Sequence, residues 1–285
     1  MLAIEPDNSR AVAGFHTAFN LILALLFFPL LKPYAELLRH WLPARINAAD
    51  PGHPMYLDSA ARETPVIALG AAAREALRLA DVLETMLQGI RDVFDKPDRR
   101  QISETKRLDD VLDKLNTAIK AYLTSLDPEA MSDADHCRVT EILAFATNME
   151  QAGDIADKNL LGIATKKLKR GLAFSAEGKA ELLAMIDRLI TNLRAAASLF
   201  MTEDERAARL LVSEKEAFRS MEAAATASHF ARLRSGRIDT AETSSLHLDA
   251  LRDLKRINAH LVAAAAYPVL EGKGELLPSR LRQDD

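Results

Sequence analysis

The stretch Ala11–Leu31, AVAGFHTAFNLILALLFFPLL, contains no charged residue, and no second run of this kind follows it. As an α-helix it would be about 31 Å long, enough to cross a hydrocarbon core of about 30 Å. A signal peptide is disfavoured because the preceding Glu5, Asp7 and Arg10 are not a basic region. A buried core helix remains the alternative. The stretch therefore predicts one membrane-spanning helix within residues 1–45.

Three polar residues interrupt this apolar run, His16, Thr17 and Asn20, and helical spacing places them on or near one face. Polar groups at membrane depth are costly unless they find partners. We therefore expect this face to pack against other helices. Those helices would belong either to a homo-oligomer or to a transport domain whose other membrane helices lie outside this chain.

The charges that follow the apolar run predict its orientation. Lys32, Arg39 and Arg45 come directly after it, and basic residues favour the cytoplasmic side of a membrane. The predicted location is the inner (plasma) membrane, with the C-terminal part of the chain in the cytoplasm.

The composition indicates a helical protein and excludes several functions. Lys and Arg total 37 and Asp and Glu total 41 in 285 residues, giving a net charge of −4, which argues against nucleic-acid binding. A single cysteine, Cys137, excludes an intrachain disulfide and a thiolate zinc site within one chain. Aromatic residues make up 5%, and the abundant residues are helix formers. No nucleophile-elbow, P-loop or dinucleotide-binding motif occurs, so we predict no enzyme and no catalytic residues.

The periodicity after the apolar run predicts an all-α, two-bundle body. Proline and glycine make 46–63 a linker, and the tail 271–285 is polar. The break at Gly171–Ser175 divides the helical region 64–270 into a first bundle, 64–170, and a second, 175–270. The predicted helices are 65–94, 103–126, 132–170, 175–201, 202–234 with a capping box at Thr202 and Glu205, and a last one that begins between 240 and 244 and ends at Tyr267-Pro268.

Pairs of acidic residues four apart are the strongest signs of chemistry. Such pairs share a helix face and repel, and a hard cation would relieve the repulsion. However, the acid content gives roughly six such pairs by chance, the number present, so an isolated pair is as typical of a solvated face. Three pairs lie on predicted core helices: Asp109/Asp113, Glu150/Asp154 and Asp249/Asp253.

A weak internal repeat connects two of these pairs. At an offset of 99 residues, acids, an asparagine and an arginine recur, as a duplicated three-helix unit would leave behind. The matches are Glu150 with Asp249, Asp154 with Asp253, Asn159 with Asn258, and Arg138 with Arg237.

Several segments resemble one known family. GFHTAFNLILALLFFPLL resembles the final transmembrane helix of bacterial sodium/phosphate (Na/Pi) cotransporter family proteins, where a His-Thr-x-Phe-Asn element opens that helix. EQAGDIADKNL and SSLHLDALRDLKRINAHLVAAAAYPVL resemble the third and sixth helices of the PhoU-like domain appended to those transporters. The resemblance implies a cytoplasmic six-helix domain, whereas the QSSS-type transport motifs are absent from this sequence. The chain is therefore not expected to transport phosphate alone.

The resemblance also implies metal ligands, because E/D-x-x-x-D motifs of PhoU domains hold multinuclear clusters, often of iron or zinc. Carried over by position, Asp109, Asp113, Glu150 and Asp154 would serve the first bundle, and Asp249 and Asp253 the second. The second set departs from the pattern, since Glu216 is followed four residues later by Ser220. Carboxylate ligation without histidine is compatible with iron, manganese or magnesium.

A basic cluster formed by Lys166, Lys167, Lys169 and Arg170 ends the third predicted helix. It fits the helix dipole and a solvated turn, and it also fits contact with anionic lipid or a partner.

Two functional hypotheses arise from these features. One is a PhoU-like regulatory module that senses or gates phosphate uptake through a sodium-dependent transporter. The alternative is a free-standing, membrane-anchored PhoU-like regulator that binds a kinase or another transporter.

Overall fold

The computed structural model describes residues 8–34 and 50–274, and it is all-α within them. Helix α1, Asn8–Phe27, continues through a 3₁₀ turn, Phe28–Leu30. The apolar stretch Val12–Tyr34 is long enough to cross a membrane, and none of it is buried within the protein. Arg39 and Arg45, which carry the predicted orientation, lie outside the described residues.

The rest of the described chain forms a compact unit that begins at Pro51. Its helices are α2 (Pro65–Asp95), α3 (Arg99–Thr124), α4 (Asp133–Ile155), α5 (Gly162–Arg170), α6 (Ala176–Thr202), α7 (Glu205–Arg234), the short α8 (Ile238–Glu242) and α9 (Ser244–Gly272).

Side chains at the helix starts explain these bounds. Ser132 and Asp135 form a reciprocal capping box at the start of α4, and the hydroxyl of Ser175 accepts from the backbone N–H of Gly178. The predicted capping box at Thr202 is wrong, because the carboxylate of Asp204 caps α7 instead. At the other end of α5, Gly171 adopts φ 65°, a left-handed conformation that glycine reaches without strain.

The helices pack as two trios. Helices α2, α3 and α4 contact one another, as do α6, α7 and α9, and the trios meet along α2–α6 and α4–α9. Buried aliphatic side chains from both trios form one continuous core. The domain bounds 64–170 and 175–270 stay predictions, since the trios share this core.

Two predicted helices differ from the structure. A π-helical turn, Ala156–Leu161, interrupts the predicted third helix between α4 and α5. The last helix does not end at Pro268 but runs to Gly272. Proline removes only one backbone hydrogen bond, and the burial of Leu270 at 4% exposure holds the following turn on the core.

The middle of the predicted linker is hydrogen-bonded to α2. The backbone N–H groups of Met55 and Tyr56 both donate to Glu75 Oε2 at 2.8 Å, and Glu75 is fully buried. Arg78 binds Glu75 Oε1 at 2.7 Å and donates to the carbonyl of His53. Residues 53–56 are therefore part of the folded body.

Candidate functional site

A group of acidic side chains, here called the acidic cleft, lies where α3 faces α4 and the π-helical turn. Its carboxylates act electrostatically on one another. Gly153 makes this possible, because its bare backbone accommodates the buried side chain of Leu112 from α3. The cleft residues are Asp109, Asp113, Glu150, Asp154 and Asp157.

The pKa values of three cleft carboxylates, those of Asp109, Glu150 and Asp157, are raised. Burial, aided by Asp157, Asp113 and Asp154, raises the pKa of Asp109 to about 6. Burial and the neighbouring Asp154 and Asp113 also raise the pKa of Glu150. At neutral pH the cleft therefore holds repelling negative charge.

Lysines neutralise only part of that charge. Lys158 binds Asp154 at 2.5 Å, whereas Lys106 lies 3.8 Å from Asp157 Oδ2. Burial outweighs this lysine and raises the pKa of Asp157. Its other oxygen, Oδ1, is buried without a hydrogen-bond partner among the described residues. An unpaired buried carboxylate oxygen raises the free energy of the folded state. A proton or a cation bound at this oxygen would lower it.

The raised pKa of Asp109 predicts that the stability of the protein depends on pH. Because the folded-state pKa of Asp109 exceeds that of the unfolded chain, its contribution to stability decreases as pH rises from about 4 through 6. Asp109→Asn should therefore stabilise the protein at pH 8 by about 1 kcal/mol, after allowance for solvent screening, and leave it unchanged near pH 4.

Chemical denaturation of the full chain in detergent at the two pH values checks this prediction. Glu129→Gln, which removes an exposed acid outside the cleft, is the control. Destabilisation by Asp109→Asn at pH 8 would instead show that the ionised carboxylate has an essential partner.

The predicted metal clusters are unsupported by the structure. Within residues 8–34 and 50–274, no three His, Cys, Asp or Glu side chains are placed to hold one ion. In the second trio, Asp253 is buried against Arg256 Nη1 at 3.0 Å and Asn159 Nδ2 at 2.9 Å, and Asp249 pairs with Arg252. Asp249 and Asp253 are thus partners of arginines, and their metal role stays a prediction.

The second trio contains a buried polar cluster that the sequence analysis did not single out. The rings of His229 and His247 stack at 4.9 Å, and Arg232 binds both carboxylate oxygens of Glu181 at 2.8 and 2.9 Å. His247 is 2% exposed, and burial lowers its pKa to about 4. The two histidines lie on different helices, so no i,i+3 or i,i+4 spacing marks the cluster.

The basic cluster at the end of α5 is only partly at the surface. Lys166, Lys169 and Arg170 are exposed. Lys167 is buried, donates to the carbonyl of Phe94 at 3.2 Å and lies over the Phe174 ring. Burial lowers its pKa to about 8. Lys167 is therefore a core residue, which corrects its predicted lipid or partner contact.

The polar residues of α1 find partners within their own helix. The Asn20 amide lies 2.7 Å from His16 Nδ1, and Thr17 donates to the carbonyl of Ala13 at 2.9 Å. This corrects the expectation that only other helices could supply partners. The second ring nitrogen of His16 and the amide oxygen of Asn20 remain further polar atoms of that face.

Comparison with known proteins shows which proteins the chain resembles. The PhoU domain family model matches residues 76–159, from α2 to the π-helical turn. "Putative inorganic phosphate export protein YjbB" of Escherichia coli K12 is 36% identical over 268 residues, 94% of this chain and 49% of that protein. This chain is a PhoU-domain homologue of the C-terminal half of YjbB. The resemblance to the Na/Pi cotransporter family is thereby confirmed.

Two further comparisons agree with this PhoU-domain assignment. YjbB of Salmonella typhimurium LT2 is 38% identical over 269 residues, 93% of this chain and 48% of that protein. The crystal structure of PhoU from Pseudomonas aeruginosa superposes with a TM-score of 0.65 at 16% identity, covering 72% of this chain and 97% of that one. The all-α PhoU-like fold is therefore confirmed.

The YjbB relatives are longer than this chain. The chain spans about half the length of the curated relatives it matches. Their names describe a transport protein and not an enzyme, and they give export as the direction, whereas the sequence analysis expected uptake.

Proposed function

We propose that this chain is a PhoU-like regulatory module of a sodium-dependent phosphate transporter. One observation carries the proposal: 94% of the chain, extending beyond the PhoU body, matches about half of a protein named for phosphate export. The sodium dependence is what the family resemblance implies. Phosphate transport then requires transport helices other than α1.

In this account α1 lies in the inner membrane and the body from Pro51 onward lies in the cytoplasm. Two features support a coupling between the transport helices and the cytoplasmic body. The exposed pair His16 and Asn20 offers polar atoms to neighbouring transport helices, and Glu75 fastens residues 55 and 56 to α2. Regulation would act through different contacts of the body with two states of the transporter.

The test measures phosphate flux in the host. Removing the coding segment for residues 51–274 should change the efflux of preloaded radiolabelled phosphate by at least about fivefold, a normal size for regulatory coupling. His16→Leu combined with Asn20→Leu should reproduce part of that change, because α1 then loses its polar contacts. Leu21→Ile combined with Leu25→Ile has the same spacing and should leave the flux unchanged.

The alternative, a free-standing regulator of a kinase, gives a different result. Transcription of phosphate-responsive genes would then change on removal of the segment, while the efflux rate at fixed transporter abundance would not. That outcome would overturn the transporter-module proposal.

A further inference from the structure

A groove of about 340 Å³ lies between α7 and α9, on the second trio. Four basic side chains and one acid line it, together with Asn258 and Ala259. Its charged residues are Lys215, Glu216, Arg219, Lys255 and Arg256.

Each basic side chain of the groove has a partner, and Arg219 Nη1 lies 3.8 Å from Glu216 Oε2. Lys215 donates to the hydroxyl of Tyr267 at 2.6 Å and lies 5.2 Å from its ring centroid. Lys255 pairs with Glu222, and Arg256 donates from Nη1 to Asp253 at 3.0 Å. Even with these two acids and Glu216 counted, the four cations leave one net positive charge.

The floor of the groove is polar and ordered. Asn258 is 1% exposed, accepts from Asn192 at 2.9 Å and donates to the backbone carbonyl of Glu214 at 3.3 Å. A guanidinium has five N–H donors and an ammonium three. The single ion pair of Arg256 and the single hydroxyl contact of Lys215 therefore leave donor capacity at the groove.

The internal repeat shows that this region has the opposite charge from the acidic cleft. At the offset of 99, Asp154 corresponds to Asp253 and Asn159 to Asn258, whereas Asp157 corresponds to Arg256 and Ala156 to Lys255. The first copy has an excess of carboxylates, which a cation would relieve. The second has an excess of cations, which an anion would relieve.

We propose that the α7–α9 groove binds a phosphate oxyanion. Arginine forks and lysine ammonium groups from two helices are the donors that suit a multiply charged tetrahedral anion. The inference goes beyond the proposed function, since it assigns a ligand site to this chain that needs no transport domain. The same chemistry fits free inorganic phosphate and a phospholipid headgroup.

The test is calorimetric titration of inorganic phosphate into the full chain in phosphatidylcholine nanodiscs, at ionic strength fixed with chloride. The wild type should bind phosphate. Lys215→Gln combined with Arg219→Gln, both exposed, should weaken binding by about tenfold or more. Lys166→Gln with Lys169→Gln removes the same charge elsewhere and should leave the affinity unchanged.

Two outcomes would overturn the proposal: no phosphate binding by the wild type, or equal affinity in the wild type and the groove variant. The circular dichroism of each variant must match the wild type, so that lost binding is not unfolding. Nanodiscs that contain phosphatidylglycerol distinguish the sources. If the phosphate affinity is the same in these nanodiscs, the ligand is free phosphate. If phosphatidylglycerol competes with phosphate only when the groove is intact, the ligand is the headgroup. Both results support an oxyanion site.

Discussion

Replacing Glu75 with alanine is expected to lower the free energy of unfolding by about 3 kcal/mol. The fully buried carboxylate accepts the backbone N–H groups of Met55 and Tyr56 at 2.8 Å and the guanidinium of Arg78 at 2.7 Å. Alanine removes all three bonds and leaves the Arg78 cation without this anion. Denaturant titration of the full chain measures the loss.

The same substitution should also release the segment before α2. Amide hydrogen exchange at Met55 and Tyr56 should rise towards the rate of an open loop, while exchange in the core of α6 follows only the global stability. Glu104→Ala is the control, because it removes only an exposed ion pair with Arg100 on α3. It should lower the free energy of unfolding by no more than about 0.5 kcal/mol. Protected amides at Met55 and Tyr56 in the Glu75 variant would contradict the fastening role.

Replacing Gly153 with valine is expected to cost about 3 kcal/mol. A Cβ atom at this position would lie 2.3 Å from Leu112 Cδ1, and Leu112 is completely buried. The substitution must push α3 away from α4 or drive Leu112 out of its rotamer. Thermal or chemical unfolding of the full chain in detergent measures the effect.

Gly162 supplies the matched control, since a Cβ there meets no atom within 4 Å. Gly162→Val should change stability by no more than about 0.5 kcal/mol. Combining Gly153→Val with Leu112→Ala should cost less than the sum of the two single changes, because the valine fills space that the shortened side chain vacates. Strict additivity would show that the close approach of the helices is not the cause.

The helical architecture could be predicted because its signals are local. Apolar spacing, the Ser132–Asp135 cap and the break at Gly171 are all visible in the sequence, and the structure has helices at the predicted places. Local signals failed where packing decides the outcome. Pro268 predicts the end of the helix, yet the helix continues for another turn, in which Leu270 is buried.

The residues and contacts that form the sites could be predicted only in part. The family resemblance grouped Asp109 with Asp154, and the two carboxylates do act on each other electrostatically, but it gave no sign that Asp253 would pair with arginines. The sequence pattern groups Lys167 with three surface cations, whereas its buried ammonium lies over the rings of Phe94 and Phe174. The His229–His247 stack and the bonds of Glu75 depend on chain paths that no local pattern specifies.

The structure and its relatives together describe a PhoU body attached to an apolar helix, with an acidic cleft in one trio and a basic groove in the other. The repeat positions 156–157 and 255–256 contribute to this charge contrast, and so do Asp109 and Asp113 of α3, which correspond to Ala208 and Val212 of α7. If the groove holds phosphate, the module itself can respond to the ion that its relatives are named for exporting. Phosphate binding would then bias the body between its two sets of transporter contacts.

The efflux of preloaded radiolabelled phosphate, compared between host cells with and without residues 51–274, tests the central claim most directly. The account predicts a change of at least about fivefold, restored when the intact segment is returned. Equal efflux rates in the two strains, at equal transporter abundance, would contradict it.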